Sequence, residues 1–206
     1  GGSGVAQGGG IHNASTLTLN DVVIGYCVST TDGGGIWNGF GCVMTMGDCS
    51  LVACQASAGN GGGLWNSGTL NVTNVTINGC SASGNGGGIW SDSTINADNL
   101  EVVGCAATGS GGGIYNEGTI FWVGGGILAS NNSGNTGGGM HTAGTVELTL
   151  VNLYQNVSAA SGGAVYHDLG GTTTFTECGL YENSASAGMA LFIVQGTAYF
   201  IRSAVV

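Results

Sequence analysis

Gly61-Gly62-Gly63-Leu64-Trp65-Asn66 is one copy of a recurring hexad: two or three small residues, an aliphatic, an aromatic or His, and then usually Asn. Clear copies begin at Gly8, Gly33, Gly61, Gly86, Gly111 and Gly137, with a looser copy at Gly162 and a degenerate one at Gly188. The steps between copies are 25, 28, 25, 25, 26, 25 and 26 residues. A fixed period of this size is the signature of a solenoid, in which each repeat buries its apolar face against the next.

Each coil reads as three strands. The hexad aliphatics form one column: Ile11, Ile36, Leu64, Ile89, Ile114, Met140, Val165 and Leu191. Beyond a turn, apolar residues alternate at Leu17/Leu19, Met44/Met46, Leu70/Val72, Ile95/Ala97 and Val146/Leu148. They alternate again at Val22/Ile24, Cys49/Leu51, Val75/Ile77, Leu100/Val102, Val151/Leu153 and Cys178/Leu180. Period-two alternation is the strand signal, and the helix formers Lys, Arg, Glu and Gln are scarce. These patterns predict an all-β fold, a right-handed parallel β-helix (a β-solenoid) of about eight coils of 25–28 residues with three short parallel sheets, as a single domain over 1–206. The longest step predicts a bulged turn around Gly39 to Asp48, and the glycines fit tight coil corners. The outward second-strand column is expected to read Thr18, Thr45, Asn71, Asn96, Trp122, Glu147, Thr174, too broken for an ice-binding Thr array.

Composition narrows the partners. The 206 residues include 44 Gly, no Pro, no Lys and one Arg, and the net charge is −10. Nucleic acid is excluded as a partner, because phosphate binding needs a cationic footprint. No apolar run reaches the length of a membrane span. The chain starts at Gly1, which reads as a processed protein or a segment of a longer one. Asn-x-Ser/Thr sequons and the near absence of charge point to an extracellular or cell-surface location.

The hexads, together with Leu153-Tyr154-Gln155-Asn156 and Leu180-Tyr181-Glu182-Asn183, carry a resemblance. The chain resembles the right-handed parallel β-helix (pectin-lyase-like) superfamily, and within it the Gly-Gly-x-Ile and Phe-x-x-Asn repeats of bacterial surface β-helices and polymorphic outer-membrane proteins. In the first four coils Cys replaces the Asn of the second motif. The resemblance implies the fold; such families range from adhesins to enzymes. An enzyme of the pectate type would need clustered Asp and a basic residue, and a glycosidase two carboxyls about 5–9.5 Å apart. The 11 acids here fall in different columns and the sole Arg is Arg202, so neither an enzyme nor a cofactor is expected.

Four sets of residues remain as site candidates. Cys27, Cys54, Cys80 and Cys105 share one column. Adjacent coils place their Cα atoms about 4.8 Å apart, within disulfide reach, so Cys27–Cys54 and Cys80–Cys105 are expected as bridges, with Cys54–Cys80 or a ladder of free buried thiols as the alternatives. Cys49 and Cys178 read as core thiols and Cys42 as the odd one. The aromatic column His12, Trp37, Trp65, Trp90, Tyr115, His141, Tyr166, Phe192 should point outward, as a ring ladder holding its own sheet or as a contact surface for glycans or a neighbouring rod. The histidines are too few and too dispersed for zinc. Of five sequons, Asn71 and Asn74 should carry any N-glycan, because Asn131 and Asn156 align with the inward cysteines and Asn13 lies in the Asn column of the hexads.

The expected function is an extracellular structural solenoid, a subunit or stalk segment of a surface filament or appendage. Its partners would be copies of itself or neighbouring solenoid chains, since open solenoid ends expose pairing strands. The alternative is an adhesin or carbohydrate-binding module using the aromatic ladder.

Overall fold

The computed structural model describes residues 4–206; positions 1–3 of the expected 1–206 domain lie outside the described residues. It is a parallel β-solenoid of about seven turns, all-β, with no helix among the described residues. The hexad strands stack in register as eight rungs, from Ile11↔Ile36 and Ile36↔Leu64 through to Val165↔Leu191.

The Gly61 hexad shows why the motif recurs. Gly61 turns the corner at φ 64, and a Cβ there would lie 2.5 Å from the Leu64 carbonyl oxygen. A Cβ on Gly62 would meet the backbone of the next coil, 2.3 Å from the Ser81 oxygen. At Gly63 the nearest atom is the Gly88 oxygen at 2.7 Å. The first Gly thus supplies a left-handed conformation, and the next two let successive coils approach. The third position is the most forgiving, since Ala164 and Ala190 occupy it in the last two copies.

Two further corners use the left-handed region without relying on Gly. Asp21, Asp48, Asn74, Asn99, Leu150, Glu177 and Arg202 turn between the second and third strands at φ between 50 and 62. Asn and Asp tolerate this region best. After the third strand, Tyr26, Ala53, Gly79, Gly104, Ser130, Gln155 and Glu182 turn again.

Three differences from the sequence expectation stand out. First, the coil has a fourth strand. Val28–Ser29, Gln55–Ala56, Ser81–Ala82, Ala106–Ala107, Asn132–Ser133 and Val157–Ser158 form a separate six-stranded parallel sheet. Second, Trp122 is not outward. The outward column runs Asn96↔Phe121↔Glu147, whereas Trp122 pairs with Ala97 and Leu148 and is fully buried in the core. Third, the bulged turn is confined to Gly39–Cys42, four residues where neighbouring coils use two, with Phe40 at its tip 93 % exposed.

The core is one continuous cluster. It runs through Ile36, Leu64, Ile89 and Ile114 on the first sheet, Met46, Val72 and Trp122 on the second, and Leu51, Ile77, Val102 and Leu153 on the third. Cys49 and Cys178 belong to it, as the alternation predicts.

Candidate functional site

Polar and aromatic side chains of the solenoid are arranged as ladders, because a residue type repeated every coil is stacked one strand spacing from its copies. Three ladders define the candidate site.

The first lies inside the corner after the third strand. Asn131 and Asn156 are fully buried and Asn183 nearly so. The Cys105 backbone N–H donates to Asn131 Oδ1 at 2.9 Å, Asn131 N–H to Asn156 Oδ1 at 3.1 Å, and Asn156 N–H to Asn183 Oδ1 at 3.0 Å. Each Nδ2 also donates to a carbonyl of the preceding coil: Asn131 to Val102, Asn156 to Leu128 and Asn183 to Leu153, at 2.7 to 2.9 Å. In the earlier coils the cysteines take over that donor role. Cys54 Sγ points to the Ile24 oxygen at 3.6 Å, Cys80 to Leu51 at 3.9 Å and Cys105 to Ile77 at 3.7 Å.

This corrects the expected bridges at Cys27–Cys54 and Cys80–Cys105: all seven cysteines are free, buried thiols. The Cα spacing on which a bridge was expected does not determine where Sγ points. Here each sulfur of the column hydrogen-bonds toward main-chain carbonyls. Cys80 is pushed up to about 12, first by the hydrogen bond to the Cys105 thiol, and Cys54 is raised, first by the Cys80 thiol and then by burial. Protonated, buried thiols are poor nucleophiles for disulfide exchange.

The second ladder follows the hexad strand. Asn13 Nδ2 donates to Asn38 Oδ1 at 2.7 Å and Asn38 Nδ2 to Asn66 Oδ1 at 2.7 Å. The run continues from Asn66 to Ser91 Oγ and from Asn116 to Thr142 Oγ1, each at 3.1 Å. His167 ends it, fully buried, with Nδ1 2.8 Å from Thr173 Oγ1 and Nε2 2.6 Å from the Gly170 oxygen. Buried amides are satisfied by their own copies, which is how polar groups are kept inside a narrow rod.

The third ladder is aromatic. His12 stacks on Trp37 at 4.2 Å between ring centroids. A second run links Trp65–Trp90 at 3.6 Å, Trp90–Tyr115 at 6.4 Å, Tyr115–His141 at 4.7 Å, His141–Tyr166 at 5.0 Å and Tyr166–Phe192 at 5.5 Å. Trp37, Trp65, Tyr115 and Tyr166 are half-buried, and Trp90 and His141 are buried. Along this run each ring from Trp90 to Tyr166 stacks on two neighbours.

His141 is the one chemically distinctive member, and its surroundings escape a column-by-column reading. Its Nδ1 lies 2.9 Å from Thr136 Oγ1, which lies 2.9 Å from Ser110 Oγ; its Nε2 lies 3.6 Å from Asp168 Oδ2. Burial lowers His141 to about 4, against an opposing pull from Asp168. At neutral pH the ring is therefore uncharged, and 3.6 Å to Asp168 is longer than a hydrogen bond. Tyr115 is pushed up to about 12, by burial first and then by Glu117, whose carboxylate accepts from the Tyr115 hydroxyl at 3.1 Å. Held between two tyrosine rings, His141 has no open face for a substrate.

No family, curated protein or solved structure matches the chain.

The sequons divide by burial. Asn13, Asn131 and Asn156 are buried ladder members, whereas Asn74 is exposed and Asn71 half-buried on the outer face of the second sheet. Asn74 Nδ2 donates to Asp48 at 3.0 Å, and Asn71 accepts from Asn96 at 2.9 Å. Among the described residues no group of three or more His, Cys, Asp or Glu is placed to hold a metal, and no helix is long and apolar enough to cross a membrane.

Proposed function

We propose that this chain is a structural solenoid, a right-handed β-helix of the kind found in bacterial surface repeats. It would be a subunit or stalk segment of an extracellular filament or appendage that grows through its end faces. The observation that carries the reading is the uniform stack: the hexad strands pair in one parallel register over eight rungs, around one continuous buried core. A cross-section repeated coil on coil, each coil burying its apolar face against the next, is what a stalk or a filament built of solenoid units requires. The low content of charged residues, 12 of 206, and the exposed sequon at Asn74 support an extracellular setting. The stacked ring faces favour a scaffold role for the aromatic ladder over glycan capture.

The test is sedimentation velocity over a hundredfold concentration range, with electron microscopy of the most concentrated sample. Rods whose length rises with concentration support the reading. A single species of monomer mass throughout overturns it.

A further inference from the structure

We propose that the Trp65–Trp90–Tyr115 stretch of the ring ladder is a path for one-electron oxidation. A hole formed on its indoles by an oxidising radical moves to Tyr115, whose phenolic proton passes to Glu117. The path adds an activity to the scaffold and does not depend on how rods assemble. Trp65 and Trp90 lie face to face, with centroids 3.6 Å apart and planes 12° from parallel. Trp90 and Tyr115 follow at 6.4 Å and 8°, an offset stack. Overlapping π faces let an electron cross from ring to ring without a bridging group. Indole and phenol are the ring side chains that give up an electron most readily, whereas imidazole and phenyl rings hold theirs. The next ring, His141, therefore closes the path on one side, and among the described residues no ring stacks on Trp65 from the other.

Tyr115 is fitted to receive the hole. Its hydroxyl donates to Glu117 Oε1 at 3.1 Å, within reach for proton transfer, and among the described residues it is the one tyrosine hydroxyl that donates to a carboxylate. The phenol is pushed up to about 12, by burial first and then by Glu117, so at neutral pH it keeps its proton until an electron leaves. The Trp65 N–H donates to the Ser67 hydroxyl at 2.9 Å, a group too weakly basic to take that proton. The radical takes one electron from the indole pair and is itself reduced. One electron then passes from Tyr115 to Trp90, restoring the neutral indole, as the proton moves from the phenol to Glu117. A neutral tyrosyl radical and a protonated carboxyl remain. Glu117 is exposed and releases its proton to water, and a diffusing one-electron donor such as ascorbate refills Tyr115 together with a proton. Met44, Met46 and the buried thiols, which oxidation would turn polar, lie in the core, off this route.

Pulse radiolysis with azide radicals, which oxidise indole in preference to phenol, tests it on the 206-residue chain. In the wild type the tryptophanyl absorbance is expected to decay as the tyrosyl absorbance rises, at a rate independent of protein concentration. Tyr115→Phe keeps the ring in the stack and removes the oxidisable hydroxyl, and Trp90→Phe keeps a ring and removes the relay. Each is expected to slow the conversion at least tenfold. Glu117→Gln keeps the shape without the base and is expected to slow it at least tenfold as well, and to lose the slowing that the wild type shows in heavy water. Thermal melting confirms that each variant is folded. No intramolecular conversion in the wild type, or an unchanged rate in Tyr115→Phe or Trp90→Phe, overturns the path. A Glu117→Gln variant with the wild-type rate and isotope effect overturns the proton route.

Discussion

The indole of Trp122 fills the space that Gly126 leaves empty. In neighbouring coils the position of Gly126 is taken by Leu100 and Val151. A Cβ on Gly126 would lie 2.5 Å from Trp122 Nε1, and that N–H donates to the Gly125 oxygen at 2.9 Å. The two residues are one packing unit in which volume has moved from the third strand to the second. Trp122→Ala is expected to cost about 3–5 kcal/mol, and Gly126→Ala about 1–3 kcal/mol through overpacking and a φ of 144. Denaturant unfolding of the double variant should show a cost below the sum of the two. Strict additivity would mean that they do not share the space.

The corner ladder makes an unusual substitution favourable. Cys105→Asn would give the Cys80 backbone N–H an acceptor and keep a donor for the Ile77 oxygen, as Asn131 and Asn156 do one and two coils on. It is expected to be neutral or to stabilise by about 1 kcal/mol. Asn156→Ala removes the acceptor of two Asn131 donors and the donor to Leu128, and should cost about 1–3 kcal/mol. Equilibrium unfolding that ranked the two the other way would contradict the ladder.

Thiol chemistry checks the same column by a different route. Under native, non-reducing conditions the buried cysteines should resist alkylation. After unfolding without reductant, mass spectrometry should count all seven as modified. A protein that takes up fewer than seven labels holds a bridge.

His141 makes stability depend on pH in a defined direction. Its pKa falls from 6.5 in the unfolded chain to about 4 in the rod. Between those values the unfolded chain binds more protons, so stability is complete above about 6.5 and declines as pH falls toward 4. The full decline attributable to this group is about 3 kcal/mol. His141→Phe, which keeps a ring in the ladder, should flatten the melting-temperature profile across that window. An unchanged profile would mean the ring is not held neutral.

Where the chain is made in a glycosylating cell, glycopeptide mapping should find sugar on Asn74 or Asn71 and none on Asn13, Asn131 or Asn156. The Nδ2 atoms of those three are buried in hydrogen-bonded ladders with no path for a transferase. Occupancy of Asn156 would require a different register for the third strand.

The fold was legible because the hexad couples a left-handed Gly, two close-contact small residues and an inward aliphatic at a period that neither helix nor loop produces. The Cys/Asn column after the third strand was legible for the same reason, since five of its seven members stand six residues before the next hexad. Ser81–Ala82 and its equivalents were not, because two residues are too few for alternation to register. The outward placement of Trp122 failed at Gly124-Gly125-Gly126, where an irregularity shifts the pairing between Asp98 and Leu100 and hides which neighbour of the run faces inward. The disulfide expectation failed on side-chain direction, which column spacing does not encode. The environment of His141 was invisible because Thr136 and Asp168 approach it from positions outside its own column.

The Gly39–Cys42 bulge has a consequence for how such a rod can change. Two of the three extra residues of that coil are absorbed at this corner and one between Ala56 and Gly61, and Ile36↔Leu64 and Met44↔Leu70 keep the common register on either side of the bulge. Coils that touch only their neighbours make errors of length local. A lineage could therefore gain, lose or decorate single turns without renegotiating the remainder, so that the span of the rod is free to drift while its cross-section is conserved by geometry.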